Sequence, residues 1–343
     1  MSGKKKRRKT APSATPWDNL GDESLTPAQA LVCAAHKGIY AFRHESFAGD
    51  IDFLNQFPKD CCPWCGDTSI KRYGYRDSGM RRYMCNACKK TFTPATGTIF
   101  EDRKLPLSAW VDFLIQLLSF ESINAMTRED RRSDTTIPYW IGKVFAVLEG
   151  IQDDTVLKGR VQIDEAFYSV SAKETITVDG KLLRGLSRNK ICIAIGCDDS
   201  GRSYFARAGY GKPSMERMLG VYASHIEQGS LLIHDMEKAH RKLVDESRLK
   251  EEIYNSKTIS KLDDADNPLG DVNRLCYLLK RFLNSHSGFN RSDLDGYLNL
   301  FSVMMNPPAE KMEKVVLVLN RAMGNPKTLR FRDFYNIKPS SDR

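Results

Sequence analysis

Long apolar runs are missing from this chain. The longest, from Trp110 to Phe120, is interrupted by Asp112 and Gln116, and it stops well short of the roughly 18 residues that a membrane-spanning helix needs. The N-terminal segment is positive but has no apolar stretch behind its charges, so it does not read as a secretory signal. No internal repeat of solenoid period is visible. Acidic residues are in the minority: 43 Asp and Glu stand against 52 Lys and Arg, a net charge of +9 that favours a polyanionic partner. Nine cysteines are an odd count for a disulfide framework, and four of them sit in two close pairs. That is the pattern of a metal site in a reducing compartment. Membrane association is therefore set aside, and an intracellular protein that meets nucleic acid is expected.

What is present suffices for more than one core. At 343 residues and 41% apolar content the chain is long enough for two or three domains. The reading divides it into a disordered basic tail (1–25), N-terminal helices (26–57), a zinc ribbon (58–100), a helical block (101–150), a catalytic domain (158–308) and a C-terminal helix with a basic tail (309–343). Lys4 to Lys9 form an unbroken basic run. A helix is expected from Thr26, and a second short apolar segment runs from Ile51 to Phe57.

Cys62-Pro-Trp-Cys65 and Cys85-Asn-Ala-Cys88 make two knuckles separated by residues 66–84. This spacing belongs to a ribbon that gathers four thiolates around one structural zinc. Cys61 competes for the first ligand position, although Cys62 gives the better spacing. A module of about 40 residues has little core of its own, so the metal supplies much of its stability. Lys71, Arg72, Arg76, Arg81, Arg82, Lys89 and Lys90 are interleaved with Tyr73, Tyr75, Tyr83 and Phe92. Such mixtures of cations and rings suit a duplex backbone and base edges. Beyond the ribbon, Ser122–Asp130 and Ser133–Val147 read either as a helix-turn-helix, with Arg131 and Arg132 at its turn, or as part of a plain three-helix bundle.

From residue 159 the hydrophobic period becomes that of strands. Val161–Tyr168, Lys190–Cys197 and Arg202–Arg207 are expected strands, the last two joined by the turn Asp198-Asp199-Ser200-Gly201. A helix (Ser214–Glu227), a strand (Leu231–Ile233), a helix (Met236–Val244) and a short strand at Ile253 follow. Further helices are expected over Val272–His286, Leu294–Met305 and Glu310–Met323. The order implies an α+β or α/β multidomain chain with one mixed sheet. Asp164 and Asp235 lie at or near strand ends among apolar neighbours, where a divalent cation compensates their desolvation. Asn273 is the expected third oxygen ligand. Lys280, seven residues on, shares its helix face and points toward the same phosphate. Glu165 faces the other side of its strand. His234 and His240 are either partners of the aspartate site or ordinary surface. Cys33, Cys192, Cys197 and Cys276 read as small buried residues. The C-terminal Lys327, Arg330, Arg332 and Lys338, with Phe331, Phe334 and Tyr335, read either as a further DNA contact or, the better reading, as a solvated tail.

These residues together resemble the insertion-sequence transposases of the IS-fifteen-ninety-five family, over roughly residues 40–305. The likeness rests on Cys62-Pro-Trp-Cys65-Gly66, Tyr83-Met-Cys85-Asn-Ala-Cys88-Lys-Lys-Thr-Phe92, Thr96-Gly-Thr-Ile-Phe100, Ile163-Asp-Glu165, and Asp271-Val-Asn273-Arg-Leu-Cys-Tyr-Leu-Leu-Lys280. It implies a zinc ribbon joined to a ribonuclease-H-like domain of the DDE type. Asp164, Asp235, Asn273 and Lys280 would form its DDNK variant, with Asp271 as the alternative third ligand. It further implies catalytic Mg²⁺ or Mn²⁺, double-stranded DNA partners (terminal inverted repeats and target DNA), a homodimer or larger assembly on DNA, and a nucleoid-associated location in a prokaryotic cytoplasm. Cys276 departs from the aromatic or hydroxyl residue that the family often carries there. A non-catalytic DNA-binding regulator and a nuclease that only hydrolyses are the rival readings.

Overall fold

The computed structural model describes residues 48–336 apart from 104, 130, 131, 260, 264 and 265, together with positions 26 and 29. The basic run, most of the helix expected from Thr26, Cys33 and Arg131 lie outside the described residues. Two units divide the chain: one holds the residues up to Ser119 with Asn124–Thr136 and Ala322–Thr328, the other Phe120–Ile123, Ile137–Arg321 and the residues from Leu329.

In the first unit, helix α1 (Ala48–Asn55) precedes a three-stranded antiparallel sheet of β1 (Ile70–Tyr75), β2 (Arg81–Cys85) and β3 (Thr91–Phe92), in that order. Asn55 ties α1 to the β1–β2 hairpin, its amide donating to the Gly79 carbonyl at 3.1 Å and its oxygen accepting from the Arg81 N–H at 2.9 Å. Helix α2 (Leu107–Leu117) starts at Pro106 without a side-chain cap of its own. Buried Asp50 supplies one from α1, accepting the Leu107 N–H at 2.7 Å. A carboxylate there also meets the positive end of the helix dipole.

The second unit is built on a five-stranded mixed sheet in the order β10-β9-β4-β7-β8. β4 (Arg160–Ser169), β7 (Lys190–Asp198) and β8 (Ser203–Tyr210) are antiparallel, and β9 (Leu231–Asp235) and β10 (Lys250–Tyr254) extend the sheet in parallel with β4. A small hairpin, β5 (Thr177–Val178) and β6 (Lys181–Leu182), interrupts the path from β4 to β7. The β7–β8 turn forms where expected: Asp198 accepts from the Ser200 and Arg202 N–H groups, and Gly201 takes a φ of 80°. On one sheet face Val161, Ile163 and Leu232 share an apolar core with Met218 and Tyr222 of α5 (Met215–Tyr222) and Leu243 of α6 (Arg241–Glu246). Across β4 and β7, α8 (Gly270–Ser285) buries Val272, Cys276, Leu279, Phe282 and Leu283. Short α7 (Ser256–Ile259) precedes α8, and α9 (Leu294–Met305) and α10 (Lys311–Gly324) follow it. The two helices expected in the block before the sheet form as α3 (Ile123–Glu129) and α4 (Thr136–Leu148).

The exposed edge of β8 is closed by side chains. Gln152 accepts from the Phe205 N–H and donates to its carbonyl, both at 3.0 Å. Two residues earlier Asn306 does the same for Ser203, at 2.7 and 2.8 Å. Two amides thus stand in for a missing strand and occupy an edge that would otherwise template pairing with another chain. Gln152→Leu and Asn306→Leu each strand a backbone donor and acceptor, so each is expected to cost about 1–3 kcal/mol. A fall in the urea midpoint at unchanged slope is the measurement that checks this.

Three expectations need correction. The helix beginning at Met215 ends at Tyr222 rather than Glu227, because the chain must turn there to let Leu157 bridge to Ile226 through bonds to His225 and Glu227. The helix expected from Met236 opens only as a 3-10 turn at Lys238–His240, since Asp235 takes the Glu237 N–H at 3.0 Å and turns the chain. The terminal segment is not simply a solvated tail. Helix α11 (Phe331–Asn336) packs on α4, with Phe331 and Phe334 5.3 and 5.9 Å from the Tyr139 ring and the Tyr139 hydroxyl donating to the Leu329 carbonyl.

Candidate metal centre and divided sheet

The ribbon's two knuckles are near copies. In the first, the Trp64 N–H points at the Cys62 sulfur (3.4 Å) and the Gly66 N–H donates to the Cys62 carbonyl (2.9 Å). In the second, the Cys88 N–H points at the Cys85 sulfur (3.5 Å) and the Lys89 N–H donates to the Cys85 carbonyl (3.1 Å). Both turns need a left-handed residue after the second cysteine, Gly66 at φ 74° and Lys89 at φ 59°. The glycine pays nothing for that conformation and the lysine does. Cys62 and Cys88 sulfurs lie 3.6 Å apart, as do Cys65 and Cys85, and all four fall within 4.8 Å of one another. A tetrahedron with zinc–sulfur bonds of 2.3 Å has edges of about 3.8 Å, so the donor set fits zinc. Cys61 is exposed and stands outside the cluster. Tyr83 and Phe92, stacked at 5.6 Å, complete the ribbon's small core.

Lys71, Arg72, Tyr73, Tyr75 and Arg76 are exposed along and just past β1, which is an edge strand. The Arg82 guanidinium sits 5.2 Å from the Tyr73 ring and the Lys90 ammonium 5.4 Å from the Trp64 ring. Lys89 is exposed beside it. Arg81 and Arg82 are both half-buried, Arg81 next to Tyr83 and Tyr75. Arg132 is also half-buried, its N–H bonded to the Thr127 carbonyl.

Asp164 and Asp235 lie on the two strands that part where the sheet of the second unit divides, and the Asp235 charge is felt at Asp164. β4 and β9 pair in parallel from Arg160 and Leu231 to Gln162 and Ile233 and no further. Beyond that point β4 continues with β7 on one side, and β9 stays with β10 on the other. Carrying the register on by two residues sets Asp164, in mid-strand, beside Asp235, at the carboxyl end of β9. Crevices of this kind are where open α/β sheets bind ligands. Both carboxylates are half-buried. Burial, with the Glu165 and Asp235 charges, pushes Asp164 up to about 6 against the lowering effect of the Glu165 N–H. A carboxylate in that position gains from a cation.

Helix α8 covers this face. The Cys276 thiol contacts Asp164 Oδ2 at 3.6 Å. Asn273 and Lys280 stand three residues before and four after Cys276, exposed on its flank, and the Lys280 charge reaches the Cys276 thiol. Gln162 holds the start of the helix, accepting from the Val272 N–H and donating to Asp271 Oδ2, both at 3.1 Å. Asp271 is thereby engaged with Gln162. Sequence reasoning did not find Gln162 or the Cys276 contact. Gln162 shares the Asp164 face by strand alternation, but nothing local says which helix lies over that face.

The opposite face holds a polar chain that runs through two buried histidines to exposed Glu251. Glu165 Oε1 is 2.7 Å from His240 Nε2, His240 Nδ1 is 3.0 Å from His234 Nδ1, and His234 Nε2 is 3.0 Å from Glu251 Oε1. Glu165 thus turns away from Asp164, as strand alternation predicts.

No protein-family model matches the chain. Over 278 residues it is 25% identical to an uncharacterized protein in transposable element ISH50 of Halobacterium salinarum, covering 75% of this chain and 90% of that protein. Among solved structures it aligns with the Mos1 strand transfer complex at 10% identity and a TM-score of 0.29, over 65% of this chain and 78% of that one. A pre-cleavage Mos1 transpososome aligns at 9% identity and a TM-score of 0.21, over 64% and 79% of the two chains. No helix among the described residues is long and apolar enough to cross a membrane.

Proposed function

We propose that this protein is the DNA transposase of an insertion sequence, with Asp164, Asp235 and Asn273 as ligands for Mg²⁺ or Mn²⁺ and Lys280 as a phosphate anchor. The observation that carries the reading is the pair of carboxylates at the split between β4 and β9, under a helix that presents an amide and an ammonium. The relative within a transposable element supports it. So does a sheet of three antiparallel strands extended by two parallel ones, the arrangement expected of a ribonuclease-H-like domain.

When bound, the divalent ion supplies Lewis-acid stabilisation at a phosphodiester and eases deprotonation of the attacking oxygen. Asp164 and Asp235 give the site its anionic charge. Asn273 adds a neutral oxygen. Lys280, a compact point charge on a flexible stem, holds a phosphate beside the scissile bond. Cleavage at an element end frees a 3′-hydroxyl, which then attacks a target phosphodiester in line. The ribbon, with Lys71, Arg72, Arg76, Arg82, Lys89 and Lys90 outward, binds double-stranded DNA, and its structural zinc is held by Cys62, Cys65, Cys85 and Cys88. Joining two ends calls for at least a dimer on DNA.

The deciding experiment is an in vitro strand-transfer assay with Mg²⁺ and the terminal inverted repeats that flank the reading frame. Joined products support transposition, hydrolysis without joining supports a nuclease, and end binding without cleavage supports a regulator. A second test concerns Asn273. Two anionic ligands bind a hard cation more weakly than three, so Asn273→Glu is expected to tighten Mn²⁺ binding by about tenfold. Calorimetric titration showing tighter binding by the wild type would count against Asn273 as a ligand.

A further inference from the structure

Nothing in the backbone ladder fixes the distance between Asp164 and Asp235. Their strands are last paired at Gln162 and Ile233, and each aspartate rides on a different half of the sheet. Among the described residues, a side-chain link beyond that last pair lies on the rear face. Glu165 follows Asp164 on β4, His234 precedes Asp235 on β9, and His240 joins them through contacts of 2.7 and 3.0 Å. Glu251 on β10 then secures the far side of His234 at 3.0 Å. His234 and His240 are 2% and 0% exposed, so the contact between their rings is shielded from solvent, while Glu251 at the far end is exposed.

The hydrogen count closes without a gap. Three contacts need three hydrogens on the four ring nitrogens. They are provided if one ring carries both of its hydrogens: His240 then donates from Nε2 to Glu165, His234 from Nε2 to Glu251, and either ring donates to the other across the two Nδ1 atoms. One oxygen of each carboxylate, Oε1, then faces an imidazole donor. His240 itself is placed by the 3-10 turn Lys238–His240, which begins where Asp235 captures the Glu237 N–H. The bridge is therefore built from the same turn that orients the second aspartate.

We infer that Glu165, His240 and His234 are positioning residues that clamp the split sheet from behind and set the spacing of Asp164 and Asp235 for a shared divalent ion. The inference rests on the metal-site reading above and adds residues that act through the two aspartates. The amide of glutamine can donate to Glu165 and accept from His234 with nearly the span of an imidazole, so His240→Gln should preserve the clamp. His240→Leu cuts it and leaves Glu165 without its imidazole partner. Glu165→Leu with His240→Leu also cuts it but buries no unpaired charge, which protects the fold.

The test is Mn²⁺ binding to the full-length zinc-loaded protein, followed by the electron paramagnetic resonance signal of free Mn²⁺, with circular dichroism and zinc content checking each variant's fold. His240→Gln is expected to bind as the wild type does. His240→Leu and the double variant are expected to bind about 10- to 100-fold more weakly. If the folded His240→Leu binds as the wild type does, the clamp is refuted; where that variant does not fold, the double variant decides in the same way. Equal weakening by Gln and Leu also refutes it, because then the polar bridge is not what matters. If Asp164→Asn and Asp235→Asn leave Mn²⁺ binding unchanged, the metal reading itself fails and the clamp falls with it. That outcome is distinct from failure of the clamp alone, in which the aspartate variants lose the ion and the His240 variants do not.

Discussion

Asp235→Asn is expected to abolish strand transfer while leaving binding to the element ends intact. Asparagine keeps the oxygen that accepts the Glu237 N–H, so the turn after β9 and the position of His240 survive. What is lost is one of the two negative charges that hold the ion. Stabilisation of a phosphodiester transition state by such an ion amounts to several kcal/mol, so the rate should fall by about 10³-fold or more. Asp235→Ala is expected to do the same and to loosen the turn as well. Transfer assays at saturating Mg²⁺, run beside gel shifts on the same ends, separate chemistry from binding. Transfer at the wild-type rate by either variant would overturn the site.

The second large effect is expected at the ribbon. Cys85 is fully buried, and its carbonyl and sulfur are both used in the second knuckle. Cys85→Ser, or treatment with a strong chelator, should release one zinc per chain and unfold residues 58–100. The apparent free energy of structural zinc binding, about 10–16 kcal/mol at neutral pH, matches or exceeds the whole stability of a typical domain. The Tyr83–Phe92 stack cannot replace it. End binding should fall by about 100-fold or more, because the cations of β1 then lose the rigid strand that presents them to phosphates. Zinc release is read with a colorimetric chelator and binding by gel shift at fixed salt. Undiminished binding by a zinc-free protein would show that the ribbon does not contact DNA.

These two sites differ in how far they can be read from the chain alone. The ribbon is local: its ligands come in two four-residue knuckles, each closed by its own backbone bonds, so spacing dictates geometry. The strand pattern of the second unit is also local, since alternation in Val161–Tyr168 and the Asp198–Gly201 turn depend on near neighbours. Even Asp164 and Asp235 stand out by sequence, as acids set in apolar strands. Their adjacency does not. It depends on β9 joining the sheet in parallel beside β4, after β7 and β8 have taken the other side. Gln162 at the start of α8, Cys276 against Asp164, and His240 behind the split belong to the same class. Each is an ordinary residue in its own segment and acquires a partner only when segments from 75 to 112 positions away arrive. Residue order and periodicity determined which elements form and where acids and thiols lie. Only the tertiary structure decided that the sheet opens between two aspartates, because strand pairing across a gap of some seventy residues is settled by packing of the whole layer and not by any local preference.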